Sequence, residues 1–206
     1  HPAHLAPLAL AAALSTLIAA PAAAAPGDSA ADPIKLLFVG NSYTFGRVDP
    51  VMSYNTANVR DLTEAMWIAN PASSNLYEPH PWGGVAGIFQ RLTVQAGLDY
   101  EVALSSRNAA SLRGHLLNTN SAGWNLRGNI GLQAWDQVVL QEQSDEALAR
   151  RAGLNSNPDY TRLYTDLIED WIHQGQALSY RERDFIGGTQ EACVALGYSS
   201  NSCSTV

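Results

Sequence analysis

Short apolar runs separated by amphipathic stretches are the main pattern along this chain. The first run covers residues 34–39, follows Pro33 and stops at Gly40, and its length and flanks favour a buried strand. Shorter runs at residues 100–104 and 135–140 predict two further strands. Because helical patterns separate the strands, the sequence predicts a parallel sheet with right-handed crossovers and an α/β fold.

Three helices are predicted from apolar spacing and capping residues. Gly97 is the expected C-cap of a helix in residues 83–97, whose apolar stripe should lie on the sheet and consists of Val85, Ile88, Phe89 and Leu92. Ser111 is the predicted N-cap of a helix that runs through Leu117. Asn157-Pro158 has the form of a cap and first helical position. It precedes a second apolar stripe, formed by Tyr160, Leu163, Tyr164, Leu167, Ile168, Trp171 and Ile172.

Two segments predict irregular structure. Residues 47–82 are polar and contain several prolines, with at most a short helix around residues 60–68. A long connection beside a candidate site often shapes substrate binding. Residues 174–206 are also polar, and they hold the two cysteines, Cys193 and Cys203. We expect one structural disulfide between them, which would close a short loop and stabilise the folded state by roughly 2–3 kcal/mol.

Composition and charge narrow the class of protein. The 206 residues are 46% hydrophobic and 15% charged, which indicates one soluble globular domain. The formal net charge of -7 argues against a nucleic-acid partner, because such binding surfaces are basic and clustered. The spacing of His, Cys and acidic residues does not resemble a metal site.

The amino-terminal residues have the pattern of an export signal. Residues 5–25 are apolar and end in small residues, as an h-region and cleavage site do. The sequence therefore predicts a signal peptide over residues 1–25, a linker over 26–33, a folded domain over 34–206 and a secreted or periplasmic location. A retained membrane anchor is the less favoured interpretation, because prolines bracket a short span, so no stable membrane insertion is expected after cleavage.

The candidate chemistry lies where the first predicted strand ends, in Gly40-Asn41-Ser42-Tyr43-Thr44. Open α/β sheets place their ligands just beyond the carboxyl ends of the strands, so the Ser42 hydroxyl is expected at such a site. The alternative is that Ser42 is only a turn residue or a helix N-cap, which is a common position for serine.

These residues resemble the first conserved block of the SGNH (GDSL-type) hydrolases, in a branch with Gly-Asn-Ser in place of Gly-Asp-Ser. The resemblance implies a flavodoxin-like three-layer α/β/α fold with a parallel sheet, and Ser42 as the nucleophile, flanked by Gly40 and Asn41. Gly27-Asp28-Ser29 spells the commoner tripeptide, but no strand precedes it and it lies in the predicted linker.

The resemblance also implies donors for the oxyanion. These are the backbone N–H of Ser42 and a second N–H from residues 108–112, where Ala110 stands at the usual glycine. The third block corresponds to Gln141-Glu142-Gln143-Ser144, similar to the acetylesterase relatives. A glutamine amide donates as well as an asparagine does, and strand alternation puts Gln141 and Gln143 on one side, so both stay candidates. The alternative is that both only end a strand near solvent.

The general base is the weak part of the resemblance. Asp170-Trp171-Ile172-His173 matches the family's Asp-x-x-His, but a crossover helix runs antiparallel to the strands and ends at the opposite edge, about 20 Å away. His115 lies one turn into a helix that starts at the site, so a substrate-contacting or supporting role and a polar helix face are both open. We therefore expect the family's base to lie beyond residue 206, and the chain to be the amino-terminal two-thirds of a hydrolase.

The function predicted from sequence is a secreted serine esterase that forms an acyl-enzyme at Ser42. Its substrate would be a small-molecule or polymeric ester, such as an O-acetyl carbohydrate, a lipid or a polyester. No cofactor is implied, and the sequence does not determine the oligomeric state. The alternative is a non-catalytic flavodoxin-like module that binds a ligand or carbohydrate, or an inactive fragment of such a hydrolase.

Overall fold

The computed structural model describes residues 32–69, 78–117, 125–150, 156–174 and 189–195, all within one compact unit that spans Asp32–Val206. The predicted signal peptide and most of the predicted linker precede these residues, so both assignments stay predictions. None of the helices within the described ranges is both long enough and apolar enough to span a membrane.

A four-stranded parallel sheet forms the centre of the structure, in the order β2-β3-β1-β4. Its strands are β1 (Ile34–Gly40), β2 (Arg60–Asp61), β3 (Tyr100–Ser106) and β4 (Gln137–Leu140). The three strands predicted from apolar runs are β1, β3 and β4, which confirms them. The sequence did not predict β2, because its two polar residues form no apolar run and pair only with Ala103 and Leu104 of β3.

Seven α-helices surround the sheet in the described residues. They are α1 (Ser42–Phe45), α2 (Glu64–Ala69), α3 (Gly84–Gln95), α4 (Leu112–Leu117), α5 (Leu126–Ile130), α6 (Pro158–Gln174) and α7 (Gln190–Ala195), with a 3₁₀ turn at Thr56–Asn58. The helices predicted at α3, α4 and α6 are confirmed. The five-residue α5 was missed, and α7 corrects the expectation that residues 174–206 are irregular throughout.

The two faces of the sheet bury separate apolar clusters, because side chains alternate along a strand. Leu37 and Val39 of β1 face α4, α5 and α6, with Ala103 of β3 beside them. Leu36 and Phe38 face the opposite way and pack with residues that include Phe45, Trp82 and Ala86. Helices therefore cover both faces, and the predicted three-layer α/β/α fold class is confirmed.

The apolar stripe of α6 packs as the sequence predicted. Its central residues are buried in the first cluster, and its ends are partly buried against it; the central residues are Leu163, Tyr164, Leu167 and Ile168. The N–H of Tyr160 donates to Asn157 Oδ1 at 3.3 Å, so Asn157 caps the helix as expected.

Only one residue of the stripe predicted for α3 packs on the sheet: Phe89, whose ring lies 5.6 Å from that of Phe38 in β1. Val85, Ile88 and Leu92 are exposed, and the buried positions of the helix are Gly84, Ala86, Gly87 and Thr93. The reason is a close backbone approach: a Cβ on Gly83 would lie 2.7 Å from the Tyr54 carbonyl carbon, and one on Gly87 would lie 3.3 Å from it. The backbone of residues 51–55 therefore packs directly against the small residues of α3. The apolar periodicity of the sequence does not predict this contact.

Cys193 lies in α7, is buried and is disulfide-bonded. Cys203, its predicted partner, falls outside the described residues, so the pairing of the two cysteines stays a prediction.

Candidate active site

The parallel register brings the ends of β1, β3 and β4 to one edge of the sheet. Gly40 pairs with Ser106, and Val39 pairs with Leu140. The segments that follow these strands are Asn41-Ser42, residues 107–110 and residues 141–143, which contain the candidate residues of all three blocks. The sequence-predicted site is thus assembled by topology, since parallel strands place their carboxyl ends together.

Asn41 is fully buried and connects the three segments. Its side-chain amide donates to the Ala110 carbonyl at 3.0 Å and to Gln143 Oε1 at 2.8 Å. Its side-chain oxygen accepts the N–H of Tyr43 at 3.1 Å, which caps the first turn of α1. The N-cap is therefore Asn41 and not Ser42, so the alternative interpretation of the serine as a cap is wrong.

Gly40 occupies a position with no room for a side chain. A Cβ there would lie 2.7 Å from Gln141 Oε1 and 2.8 Å from Thr44 Cβ. Its carbonyl accepts two hydrogen bonds, from the N–H of Arg107 at 3.1 Å and from Nε2 of His115 at 2.8 Å. The glycine therefore allows α1 and the third block to meet directly over the end of β1.

The structure distinguishes the two glutamines that the sequence left open. Gln141 Oε1 accepts the N–H of Asn41 at 2.9 Å and the hydroxyl of Thr44 at 2.8 Å, and its Nε2 donates to the Glu142 carbonyl. Gln143 also uses its oxygen, toward Asn41, but its Nε2 makes no hydrogen bond within the described residues. Gln143 is therefore the glutamine with a donor left for a ligand.

Ala110 does not have the free donor expected of it. Its N–H donates to the Arg107 carbonyl at 3.2 Å and closes a turn, while its carbonyl accepts from Asn41. The residue before it, Ala109, has φ 56°, the left-handed region that favours glycine. The N–H of Ala109 has no partner among the described residues, so Ala109 has the free backbone donor that the resemblance led us to expect at Ala110.

Ser42 is the first residue of α1, and its side chain is partly exposed. Neither its hydroxyl nor its N–H makes a hydrogen bond to another described residue. A free N–H is normal in the first turn of a helix, where the backbone has no earlier carbonyl to pair with. The Ser42 hydroxyl and the Ser42 backbone N–H are thus adjacent groups without a hydrogen-bond partner among the described residues. Acyl transfer requires a nucleophile and an oxyanion donor, and these two groups are of those types.

His115 is fully buried one turn into α4, and a direct substrate contact does not fit that burial. Burial lowers the pKa of its imidazole to about 4, with a smaller contribution from Arg107, against the opposing hydrogen bond to Gly40. The ring is therefore neutral at pH 7 and donates Nε2–H to the Gly40 carbonyl. This contact supports the backbone that leads into Ser42.

His80, which the sequence gave no means to judge, forms a buried pair with Asp61. Its Nδ1 contacts Asp61 Oδ2, and the carboxylate also accepts the Trp82 N–H at 2.9 Å and the Thr63 N–H at 3.0 Å. The His80 ring stacks on Trp82, which stacks on Phe45 of α1 with centroids 3.9 Å apart. The pair therefore ties the long insertion to the helix that carries Ser42.

His173 lies at the other edge of the sheet, as the sequence predicted. Its side chain is exposed and borders a cavity of about 510 Å³ together with Trp135 and Asp136, which precede β4. Ser42 instead follows the carboxyl end of β1, so the Asp170–His173 segment does not approach it.

The loop after β4 brings carboxylates to the site edge. Glu142 accepts the N–H groups of Leu112 at 2.9 Å and Gln143 at 2.7 Å, which fixes the start of α4 against this loop. Burial and the neighbouring carboxylates of Glu142 and Asp145 raise the pKa of Glu146 to about 7. No group of three or more His, Cys or acidic residues within the described ranges is arranged to hold a metal ion.

Among the described residues, the donors without a partner at this edge include the N–H groups of Ser42 and Ala109 and the side-chain amide of Gln143. All three belong to segments that Asn41 joins through its own side chain or backbone. Comparison of the chain with protein-family models, with curated proteins and with solved structures finds no match.

Proposed function

We propose that this protein is a serine esterase of the SGNH type that forms an acyl-enzyme at Ser42. The observation that carries the proposal is the partly exposed Ser42 hydroxyl at the carboxyl end of β1; neither it nor the backbone and side-chain donors beside it have a hydrogen-bond partner among the described residues. A serine hydrolase needs these two elements together, a nucleophile and donors directed at the developing oxyanion.

In the proposed reaction, Ser42 Oγ attacks the ester carbonyl and loses its proton to a general base. The tetrahedral oxyanion accepts hydrogen bonds from Ser42 N–H, Ala109 N–H and Gln143 Nε2. Collapse releases the alcohol and leaves the acyl group on Ser42, and water then attacks this ester to release the acid and restore the serine. No cofactor takes part.

The hydrogen bonds of Asn41 support this chemistry by fixing the donors before substrate arrives. The Asn41 side chain donates to the carbonyl of Ala110, the residue after Ala109, and to Oε1 of Gln143. Because the Gln143 oxygen faces Asn41, its amide nitrogen is directed away from Asn41. Donors that are already oriented need no reorganisation in the transition state, which is the main source of oxyanion stabilisation.

None of the described histidines is placed to act as the general base for Ser42. His115 is committed to the Gly40 carbonyl, and His173 lies at the opposite edge of the sheet. His80 has the carboxylate partner of a triad histidine, but its side chain is 1% exposed. We infer that a histidine oriented by a carboxylate accepts the proton of Ser42, and that the protein acts after export on an ester outside the cytoplasm.

A p-nitrophenyl acetate assay on the intact chain and on Ser42→Ala tests the nucleophile. Hydrolysis should fall by about 10³-fold or more in Ser42→Ala, as it does when other serine hydrolases lose this group. Labelling by a fluorophosphonate probe should also disappear in Ser42→Ala. The same probe distinguishes the alternative, because a flavodoxin-like binding module carries no activated serine and would not react.

The phosphonate labelling has a matched control. Ser53→Ala removes another exposed serine from the same region without touching the site, and it should leave labelling unchanged. Labelling that persists in Ser42→Ala would contradict the proposed function.

A further inference from the structure

Large apolar side chains are exposed in a group beside Ser42. Each is between 39% and 72% exposed, and together they form what we call the apolar rim: Tyr43, Val48, Val51, Tyr54, Val85 and Ile88. Single exposed apolar residues are normal on a protein surface, but a contiguous group of this kind usually marks an interaction site.

The rim residues come from three segments that touch through their backbones. The N–H of Gly83 donates to the Met52 carbonyl at 2.7 Å, and the N–H of Gly84 donates to the Val51 carbonyl at 3.1 Å. A Cβ on Gly84 would lie 2.6 Å from the Phe45 Cα, so the start of α3 also abuts α1. The three segments that carry the rim residues are therefore packed against one another.

This surface begins at the residue that follows the candidate nucleophile. Tyr43 is the second residue of α1 and the most exposed aromatic side chain of the rim, at 65%. Any extended molecule bound across the rim would consequently pass next to the Ser42 hydroxyl.

The rim carries little charge. Among residues 43–54 and 84–88, the ionisable side chains with formal charge are Arg47 and Asp49. Arg47 is paired with Glu78 at 2.6 Å, and Asp49 accepts the Ser53 N–H at 3.1 Å. An uncharged ligand therefore fits this surface better than an ionic one, because it leaves no charge to desolvate.

We propose that the apolar rim docks the protein on the surface of an uncharged, water-insoluble aliphatic polyester, whose chain then reaches Ser42. This inference rests on the proposed esterase function and names its substrate class. A polyester exposes ester groups at its surface between short apolar segments, so shallow contact is enough to present a carbonyl to the nucleophile.

The composition of the rim favours a polyester over a lipid bilayer. Proteins that lie in a membrane interface insert Trp, Phe and Leu and surround them with Lys and Arg. The rim has valine, isoleucine and tyrosine instead, and the protein's net charge of -7 is repelled by anionic lipid.

Binding can be measured without hydrolysis by using the Ser42→Ala chain and suspended polycaprolactone particles. The free protein fraction is followed by depletion from the supernatant, with Val48→Ser and Ile88→Ser added singly because they belong to different segments. Each should weaken binding about fivefold, the effect of removing part of one apolar side chain from the contact. Leu132→Ser is the matched control, because Leu132 follows α5 on the other face of the sheet and its exposure of 53% lies between those of Ile88 and Val48. It should bind as the parent does.

Equal binding by all four chains, or no binding of the parent chain to the particles, would overturn the proposal. So would binding to phosphatidylcholine vesicles in place of polyester, or a dimer in gel filtration that Val48→Ser or Ile88→Ser dissociates. Esterase activity of the unmodified chain on p-nitrophenyl acetate is measured in parallel. Because the depletion assay uses Ser42→Ala, loss of the rim hypothesis and loss of the esterase hypothesis give different results.

Discussion

Asn41→Ala is the substitution that tests the architecture of the site most directly. It removes three hydrogen bonds of one buried side chain: the cap on Tyr43 N–H and the donations to Ala110 and Gln143. Loss of an N-cap costs about 1 kcal/mol. Each of the other two bonds contributes about 0.5–1.5 kcal/mol, so the free energy of unfolding should fall by about 2–4 kcal/mol.

Asn125→Ala provides a matched control for this change. Asn125 also caps a short helix, since its side-chain oxygen accepts the Gly128 N–H at 3.1 Å, but this cap is solvent-exposed and belongs to α5. Its loss should cost about 1 kcal/mol and leave esterase activity unchanged. The comparison separates the cost of losing a cap from the cost of losing the Asn41 connections.

Urea unfolding gives the stability of both variants, and p-nitrophenyl acetate hydrolysis gives their activity. Asn41→Ala should lower kcat more than it raises KM, because it releases the donors that act on the transition state. A loss of under 1 kcal/mol, equal to that of Asn125→Ala and with unchanged kcat, would refute the inference that Asn41 organises the site.

Three further predictions concern neighbours of Asn41. Gly40→Ala should cost about 2 kcal/mol or more of unfolding free energy through overlap with Thr44 and Gln141. Gly114→Ala, which meets only Ser111 Oγ at 3.6 Å within α4, should instead stabilise the protein slightly. Gln143→Glu keeps the oxygen that Asn41 contacts but loses the free donor, so kcat should drop about 10²-fold with little change in unfolding; an unchanged kcat would exclude Gln143 from the oxyanion site. The folded-state pKa of His115 is lowered from 6.5 to about 4, so its contribution to stability is present above pH 6.5 and is lost as the pH falls toward 4. Within that window the unfolding free energy of the parent should rise by about 1.4 kcal/mol per pH unit from this group, and His115→Gln should remove that slope in urea titrations.

The sequence was sufficient to predict the elements whose formation depends on their own apolar pattern. β1, β3 and β4 are apolar runs of strand length, and the stripe of α6 is periodic over four turns. β2 was not predictable, because two polar residues form a strand only where β3 offers them a partner. The prediction that Val85 faces the sheet was wrong for a related reason. The backbone of residues 51–55 packs against the glycines at the start of α3, and this leaves Val85 exposed.

The candidate site divides in the same way. Strand ends determine which segments meet, so residues 40–42, 108–112 and 141–143 could be placed together from sequence alone. Which atoms of these residues already have a hydrogen-bond partner depends on local backbone angles and on amide orientation. The left-handed φ of Ala109 and the two hydrogen bonds that Gln141 Oε1 accepts could therefore be learned only from the structure.

The meeting of residues 51–55 with α3 has a consequence for how this protein can change over time. The contacts that fix the segment join carbonyl oxygens and amides to glycines, so the backbone arrangement does not depend on the identity of the outward side chains at residues 48 and 54. Those positions can accept other residues while the fold and the position of Ser42 are kept. If the proposed esterase function holds, substrate preference can change by substitution in this one loop at little cost in folding free energy, as long as Gly83, Gly84 and Gly87 are kept.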